Sequence, residues 1–232
     1  MTGYHVIIPA AGKGTRMGRT YNKLLIELSQ QTIIEHTIDV FQQDPACQGI
    51  YLAIHPDDCE KLASLLVRFD KVKQLIEGGR ERQESIYKVL AQLNIPDNDV
   101  VLVHDGARPF ITQSAIHDLA DAIDVHGAAV IGVKAKDTIK VVHDHFVTET
   151  LDRQYLWQVQ TPQGATYRVL KDAYDQALAN HIVGTDDASL LEYAGRSVFM
   201  VEGNYDNIKV TTEEDLTNAE AIIAKRSETN HV

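Results

Sequence analysis

A regular alternation of short β-branched runs with amphipathic segments constrains the fold of this 232-residue chain more than any other feature. Six runs have the composition of strands: HVIIPA (5–10), GIYLAI (49–54), VKQLIEG (72–78), VVLVHDG (100–106), AAVIGV (128–133) and SVFMVEG (197–203). Segments with apolar residues at helical spacing lie between them, at 32–43, 57–69, 84–93, 112–126 and 185–195. This alternation predicts a Rossmann-like, doubly wound α/β fold with a mainly parallel sheet and helices on both faces.

The segment 134–160 interrupts this alternation. It carries alternating β-prone residues around a polar HDH turn at 143–145, which predicts a protruding β-hairpin arm. An isolated hairpin is marginal in water and needs a surface to pack on, so an arm that packs against a second subunit is favoured over a surface excursion. We therefore expect one domain over 1–232, with 134–160 as a dimerisation arm.

Composition restricts the class of protein. The formal net charge of −11 argues against broad nucleic-acid binding, which depends on many Lys and Arg contacts to phosphate. No apolar stretch approaches the roughly 20 residues of a membrane helix, and no secretory leader precedes the first strand, so we expect a cytoplasmic protein. Cys47 and Cys59 have no metal-ligand spacing and are interpreted as reduced thiols.

The loop PAAGKGTRMG (9–18) follows the first apolar run and lies in a positively charged region, although the chain as a whole is negatively charged. Residues 1–26 contain Lys13, Arg16, Arg19 and Lys23 but no Asp or Glu. Glycines at the end of a first strand favour phosphate binding, because backbone N–H groups can approach an anion closely. A dinucleotide fingerprint fails since its third glycine would be Met17, and a Walker loop fails since Gly12-Lys13 is followed by Gly14. From charge alone, a solvated basic loop remains an alternative.

Seven motifs in order resemble one enzyme family. The loop 9–18 with Lys23 is similar to the signature of nucleotidyltransferases that make activated sugars and alcohols. The others are GGRERQESI (78–86), VHDGARPF (103–110), KDTIK (136–140), LDRQYLWQVQTPQ (151–163), TDDASLLE (185–192) and NIKVTTEEDL (207–216). Together they resemble the 2-C-methyl-D-erythritol 4-phosphate cytidylyltransferases, from residue 5 to about residue 224.

The resemblance implies a reaction and its partners. CTP and methylerythritol phosphate would give CDP-methylerythritol and pyrophosphate, in non-mevalonate isoprenoid biosynthesis. A homodimer and a divalent ion, usually Mg²⁺, are also implied.

The resemblance further assigns roles to residues of this chain. Catalytic charge stabilisation would fall to Arg16, Lys23, Arg153 and Lys209. Nucleotide binding would fall to Pro9, Ala10, Ala11, Gly12, Gly14, Gly79, Ser85 and Asp105. The polyol phosphate would be bound by Asp105, Arg108, Thr138, Arg153, Thr161 and Lys209. Asp105 would hold the metal ion, and Thr138 and Arg153 would serve the neighbouring subunit's site.

Plainer structural roles remain open for several of these residues. Asp105 follows a strand, where aspartate commonly caps a turn. Arg108 could form a structural ion pair, and Ser85 could be a helix-face hydroxyl. His5 and His104 are interpreted as packing or hydrogen-bonding residues, because a phosphate dianion attacks without being deprotonated.

The chain departs from the family pattern on both sides of Lys23. The family commonly has Pro-Lys-Gln where this chain has Asn22-Lys23-Leu24, and asparagine would allow more loop freedom before the lysine.

The nearest rival function is a cytidylyltransferase acting on ribitol 5-phosphate or a related polyol phosphate. The other is a noncatalytic nucleotide-binding module, although Arg16, Lys23, Arg153 and Lys209 are all retained.

Overall fold

The computed structural model describes residues 2–12 and 22–229. Strands in this part of the chain are β1 Tyr4–Ala10, β2 Glu27–Leu28, β3 Gln31–Thr32, β4 Cys47–Ile54, β5 Val72–Glu77, β6 Val100–Val103, β7 Ala128–Lys134, β8 Lys140–His143, β9 Phe146–Thr150, β10 Trp157–Thr166 and β11 Phe199–Glu202. Helices are α1 Ile33–Gln42, α2 Cys59–Leu66, α3 Arg82–Leu90, α4 Gln113–His126, α5 Tyr167–Ala179, α6 Asp187–Tyr193 and α7 Glu213–Thr229.

Seven of these strands form one twisted sheet in the order β11-β7-β10-β6-β1-β4-β5. The β1, β4, β5 and β6 strands are mutually parallel, and β7 and β11 form a second parallel pair. Only β10 runs antiparallel to its neighbours, β6 and β7, among the described strands of this sheet. The prediction of a mainly parallel sheet is confirmed, with all six predicted strands present.

Two hydrophobic cores cover the two faces of the sheet. Val6 and Ile8 of β1 belong to a core that also contains Ile34 of α1, and Ile7 belongs to the opposite core, with Ile86 of α3. Because β1 is buried on both faces, its sequence is a continuous apolar run rather than an alternating one. Helices on both faces are therefore confirmed. No helix in residues 2–12 and 22–229 combines the length and apolar character that a membrane span requires.

Two helices have to be added to the predicted elements, and one predicted strand is shorter than expected. The five predicted helices are present, and α5 and α7 were not predicted. The carboxyl end of β6 stops at Val103, so HDG in 104–106 forms a loop at the edge of the sheet. This places Asp105 beside the carboxyl end of β1, where the strand order changes direction and α/β proteins bind their ligands.

The hairpin predicted within 134–160 is present but narrower. The β8 and β9 strands pair antiparallel around Asp144 and His145, whose positive φ angles of 48° and 69° suit a two-residue hairpin turn. Lys134 ends β7 and Trp157 begins β10, so both ends of the predicted segment belong to the central sheet. Large apolar side chains of the hairpin are exposed: Val142, Phe146 and Val147.

Candidate active site

A crevice lies at the carboxyl ends of β1, β5 and β6. Its lining among the described residues is Pro9, Ala10, Ala11, Gly12, Lys23, Leu24, Gly79, Arg80, Glu81, Arg82, Ser85, Asp105, Gly106, Ala107 and Lys209. Nine of the residues predicted for the site line it: Pro9, Ala10, Ala11, Gly12, Lys23, Gly79, Ser85, Asp105 and Lys209. The predicted Gly14 and Arg16 lie outside the described residues. Segments far apart in sequence thus converge on one concave surface.

The turn that carries Lys23 is fastened by the residue before it. Asn22 is buried, and its Nδ2 donates to the carbonyl of Ala10 and to Asp58 Oδ2, both at 2.9 Å. Its Oδ1 accepts from Leu24 N–H at 3.1 Å, which caps the short 3-10 turn beginning at Lys23. The prediction that asparagine allows more loop freedom is therefore wrong, because three hydrogen bonds fix this residue against the end of β1.

The opposite wall of the crevice depends on a close backbone approach. A Cβ at Gly78 would lie 2.5 Å from Ala11 Cβ, so only glycine fits between the β1 and β5 loops. The Ser85 hydroxyl accepts from Gly79 N–H and donates to the Glu81 carbonyl, both at 3.0 Å. Ser85 therefore stabilises the glycine turn, and its contact with a nucleotide stays a prediction.

Asp105 carries a buried carboxylate surrounded by three cations. Its Oδ1 lies 3.2 Å from Arg82 Nε, and its Oδ2 lies 2.8 Å from Lys209 Nζ and 3.7 Å from Arg108 Nε. Burial raises the pKa of this carboxyl, but attraction to Arg82, Lys209 and Arg108 outweighs burial and holds the pKa well below its usual range. The cluster has a net positive charge and faces the crevice, so it is suited to an anion.

Arg82 is a site residue that the sequence analysis did not single out. Besides Asp105 it contacts Asp187, with Nη1 and Nη2 donating to the two carboxylate oxygens at 2.9 and 2.7 Å. The Tyr174 hydroxyl donates to the same carboxylate. Burial lowers the pKa of Arg82, but the attraction of Asp187 and Asp105 outweighs it and raises the pKa. Arg82 stands in the quoted GGRERQESI motif, yet its partners are distant in sequence, so no local pattern indicated its role.

The NIKV segment (207–210) crosses the rim of the crevice and connects its cations. Three hydrogen bonds hold the segment to the site: Val210 N–H to the Ala107 carbonyl at 2.8 Å, Lys23 Nζ to the Val210 carbonyl at 3.1 Å, and Arg108 Nη1 to the Asn207 carbonyl at 2.8 Å. Lys209, in the same segment, pairs with Asp105. The positions of three predicted cationic residues therefore depend on one four-residue stretch.

Behind Asp105, His104 and Thr161 form a buried support. The Thr161 hydroxyl accepts from Asp105 N–H at 3.0 Å and lies 3.2 Å from His104 Nδ1. His104 Nε2 lies 3.0 Å from the Arg108 carbonyl, which can only accept. This pattern assigns the proton to Nε2 and leaves Nδ1 to accept from Thr161. Thr161 thus positions Asp105, and its predicted contact with substrate stays a prediction.

The buried imidazole predicts a pH dependence of folding stability. Burial lowers the pKa of His104 to about 4 from an ordinary value of 6.5, so the folded protein keeps this ring neutral. The unfolded chain binds a proton below pH 6.5, and stability is lost as the pH falls from there to about 4. We expect a loss of roughly 3 kcal/mol from this residue across that range.

Urea unfolding of the wild type and of His104→Gln at pH 7, 5.5 and 4.5 measures this loss. The variant's free energy of unfolding should fall less steeply than that of the wild type, since the proton-binding group is gone. If the free energies of unfolding of the wild type and the variant fall equally with pH, His104 is not the group responsible for the loss of stability.

Thr138 and Arg153 lie outside this crevice. Arg153 lines a separate concavity at the base of the arm, together with Lys134, Ala135, Lys136, Asp152, Gln154 and Tyr205. Its Nη1 donates to the Lys136 carbonyl at 2.7 Å, and Thr138 is exposed beyond it. Within one subunit, the fold does not bring these two residues to the other predicted substrate-binding groups.

The fold and the crevice define the class of protein. A doubly wound, mainly parallel sheet, with a glycine-lined crevice and a cation-ringed carboxylate at its carboxyl edge, is an α/β fold of the nucleotidyltransferase type. The family model described as IspD: 2-C-methyl-D-erythritol 4-phosphate cytidylyltransferase matches residues 4–225. The chain belongs to this family.

Relatives and solved structures agree with this assignment. The chain is 46% identical over 226 residues to the 2-C-methyl-D-erythritol 4-phosphate cytidylyltransferase of Lysinibacillus sphaericus, covering 97% of each chain. It is 45% identical to that of Halalkalibacterium halodurans, covering 96% of this chain and 98% of the relative. It is also similar to the crystal structures of the Anaerococcus prevotii 4-diphosphocytidyl-2C-methyl-D-erythritol synthase (TM-score 0.85, 32% identity, 96% of each chain) and the Francisella tularensis cytidylyltransferase (TM-score 0.81, 33% identity, 95% of this chain and 99% of that one).

Proposed function

We propose that this chain transfers CMP from CTP to 2-C-methyl-D-erythritol 4-phosphate, giving CDP-methylerythritol and pyrophosphate in isoprenoid biosynthesis. Membership of the family is the general support, and the specific observation is the cationic cluster at the crevice. Arg82, Arg108 and Lys209 converge on the single carboxylate of Asp105. A net positive group beside a glycine-lined wall is suited to two phosphate-bearing substrates. A cytoplasmic location remains a prediction.

The reaction brings a phosphate monoester against the α-phosphorus of a triphosphate. Two like unit charges about 4 Å apart repel by roughly 4 kcal/mol at an effective dielectric near 20, and several such pairs meet here. Lys23 and Lys209 both line the crevice, so their charges would offset part of this repulsion. Arg16, in the loop outside the described residues, is proposed to assist Lys23 at the triphosphate.

The nucleotide is proposed to bind along the small-residue wall. Ala10, Ala11 and Gly12 end β1, and Gly79 with Ser85 faces them across the Gly78 contact. A wall of glycine, alanine and serine leaves exposed backbone groups that can bind a base edge by hydrogen bonds. A close-fitting pocket of this kind excludes a purine by its volume.

A divalent ion, most simply Mg²⁺, is proposed to arrive with the triphosphate. Within the described residues there is no cluster of three or more His, Cys, Asp or Glu side chains that could hold a metal by itself. The Asp105 carboxylate at the crevice fits Mg²⁺ because this ion takes one or two carboxylates and completes its shell with phosphate oxygens and water. When bound, the ion would neutralise charge on the triphosphate oxygens.

The chain's own contribution is positioning and electrostatic stabilisation. Lys23 and Arg16 would hold the triphosphate, and Lys209 and Arg108 would orient the polyol phosphate. The attacking atom is an oxygen of that phosphate, so no side chain has to act as nucleophile. No general base is required either, and the neutral His104 is committed to Thr161 and Arg108. Preorganised charge of this kind is the main form of catalysis in phosphoryl transfer.

A homodimer formed through the 134–160 arm would complete the site. The arm exposes Val142, Phe146 and Val147, and Phe146 is 77% accessible. Such apolar exposure on a two-stranded hairpin favours burial against another subunit. Thr138 and Arg153 lie at the base of this arm and away from their own crevice, so we propose that they bind methylerythritol phosphate in the partner's site.

Pyrophosphate release with a panel of substrates tests the proposed function. We expect turnover with CTP, methylerythritol phosphate and Mg²⁺ together, and little turnover when ATP, GTP or UTP replaces CTP. Ribitol 5-phosphate with an equal or higher kcat/KM would move the assignment to that polyol phosphate. CTP binding without turnover of any polyol phosphate would indicate a noncatalytic module.

A further inference from the structure

The geometry points to Asn207 as the positioning residue for the polyol-phosphate side of the crevice, acting through Arg108 and Lys209. This inference rests on the proposed function and deepens it, because it assigns the arrangement of two substrate-binding cations to a residue that contacts no substrate. Asn207 is fully buried, with 0% exposure, in a loop between β11 and α7.

The side chain of Asn207 fastens this loop to the central sheet. Its Nδ2 donates to Gln160 Oε1 at 3.1 Å and to the Thr161 carbonyl at 3.0 Å, both on β10. Gln160 is itself held, since its Nε2 donates to the Asn204 carbonyl at 3.0 Å. Two donor bonds to a buried strand fix both the position and the orientation of residue 207.

The main chain of Asn207 transmits this position to the two cations. Its carbonyl accepts from Arg108 Nη1 at 2.8 Å, which holds the guanidinium 3.7 Å from Asp105. Two residues further on, Lys209 Nζ lies 2.8 Å from Asp105 Oδ2. A shift of the loop at residue 207 therefore displaces both cations relative to Asp105.

The next anchor along the segment is independent of Asn207. Val210 N–H donates to the Ala107 carbonyl, and the Val210 carbonyl accepts from Lys23. The small-residue wall that includes Ala10, Gly12 and Ser85 makes no hydrogen bond with the Asn207 side chain within the described part of the chain. The effect of losing Asn207 should consequently fall on the polyol phosphate more than on CTP.

Asn207→Asp tests this role because the side chain keeps its size and loses both donors. The new carboxylate oxygen would face two acceptors, the carbonyl oxygen of Thr161 and the side-chain oxygen Oε1 of Gln160. Because these oxygens repel one another, the loop must move. We expect kcat/KM for methylerythritol phosphate to fall on the order of 10-fold to 100-fold, as expected when a group is displaced by about 1 Å. KM for CTP should stay within about threefold of wild type.

Two matched controls separate positioning from folding. Asn204→Asp makes the same change in the same loop, where the side chain is exposed and, among the hydrogen bonds of the described residues, accepts from Asp206 N–H alone, so activity should be unchanged. Tyr4→Phe removes a buried hydrogen bond to Asp44 at the far end of β1 and should lower stability without changing kcat/KM. Asn207→Ser, which is neutral and too short to reach β10, replaces Asn207→Asp if the buried charge prevents folding.

A double-mutant cycle with Lys209→Ala gives the decisive readout. If Asn207 acts through Lys209, adding Asn207→Asp to Lys209→Ala should cost much less than Asn207→Asp costs alone. Full additivity, or an Asn207→Asp enzyme within threefold of wild type, would overturn the proposal. Absence of turnover by the wild-type chain would contradict the proposed function instead, so the two failures are distinguishable.

Discussion

A mixture of two nearly inactive variants, Lys23→Ala and Arg153→Ala, is expected to regain about a quarter of wild-type activity after subunit exchange. Each variant alone should lose on the order of 10²-fold or more in kcat, as when one preorganised charge-stabilising group is deleted. In a symmetric dimer whose arm serves the partner, a mixed dimer has one doubly defective site and one intact site. Random exchange makes about half of the dimers mixed, which gives the expected quarter.

A second mixture provides the matched control. Lys23 and Lys209 line the same crevice of one chain, so Lys23→Ala mixed with Lys209→Ala leaves every site with a defect and should show no recovery. Coexpression with different tags verifies that mixed dimers form. If tagged Lys23→Ala/Arg153→Ala heterodimers also stay inactive, Arg153 acts in its own chain or not at all, and the arm is a surface hairpin.

Asp105→Asn is expected to lower kcat by at least about 10²-fold with little change in side-chain volume. The carboxylate is the common partner of Arg82, Arg108 and Lys209, so its loss removes the ion pair that these three cations share at the crevice. It would also remove the proposed ligand of the divalent ion. Steady-state kinetics over a range of Mg²⁺ concentrations measures both effects, and excess Mg²⁺ should not restore kcat.

Asp44→Asn is the matched control for this variant. Asp44 is a buried carboxylate like Asp105, but it pairs with Tyr4 and His117 at the other end of β1. Its substitution should reduce stability and leave kcat of the folded protein near the wild-type value. Equal losses of kcat in both variants would indicate that destabilisation, and not the site, explains the effect of Asp105→Asn.

Much of the fold could be predicted because its central strands are buried on both faces. The HVIIPA and VVLVHDG runs contain continuous apolar stretches, and each forms a parallel strand with a predicted site residue just beyond it. The position of Asp105 and of the glycine wall followed from the rule that ligands bind beyond the carboxyl ends of such strands. These features depend on local sequence patterns and one topological rule.

The β10 strand and Arg82 could not be predicted in the same way. The interior of β10 is polar: Gln160, Thr161 and Gln163 are buried because they bond to loops distant in sequence. A strand with such residues has no apolar signature, so its first residues were assigned to the arm. Arg82 likewise draws its role from Asp105 and Asp187, which only the folded sheet brings to it.

Phosphorus NMR of a mixture of CTP, methylerythritol phosphate, Mg²⁺ and the protein follows the reacting atoms themselves. The α-phosphorus of CTP should become one half of a new diphosphate, coupled to the phosphorus of methylerythritol phosphate, as one equivalent of pyrophosphate forms. Omitting the polyol phosphate should leave CTP unchanged, because no side chain serves as an acceptor. Conversion of CTP to free CMP, or no change with all substrates present, would contradict transfer of CMP at this crevice.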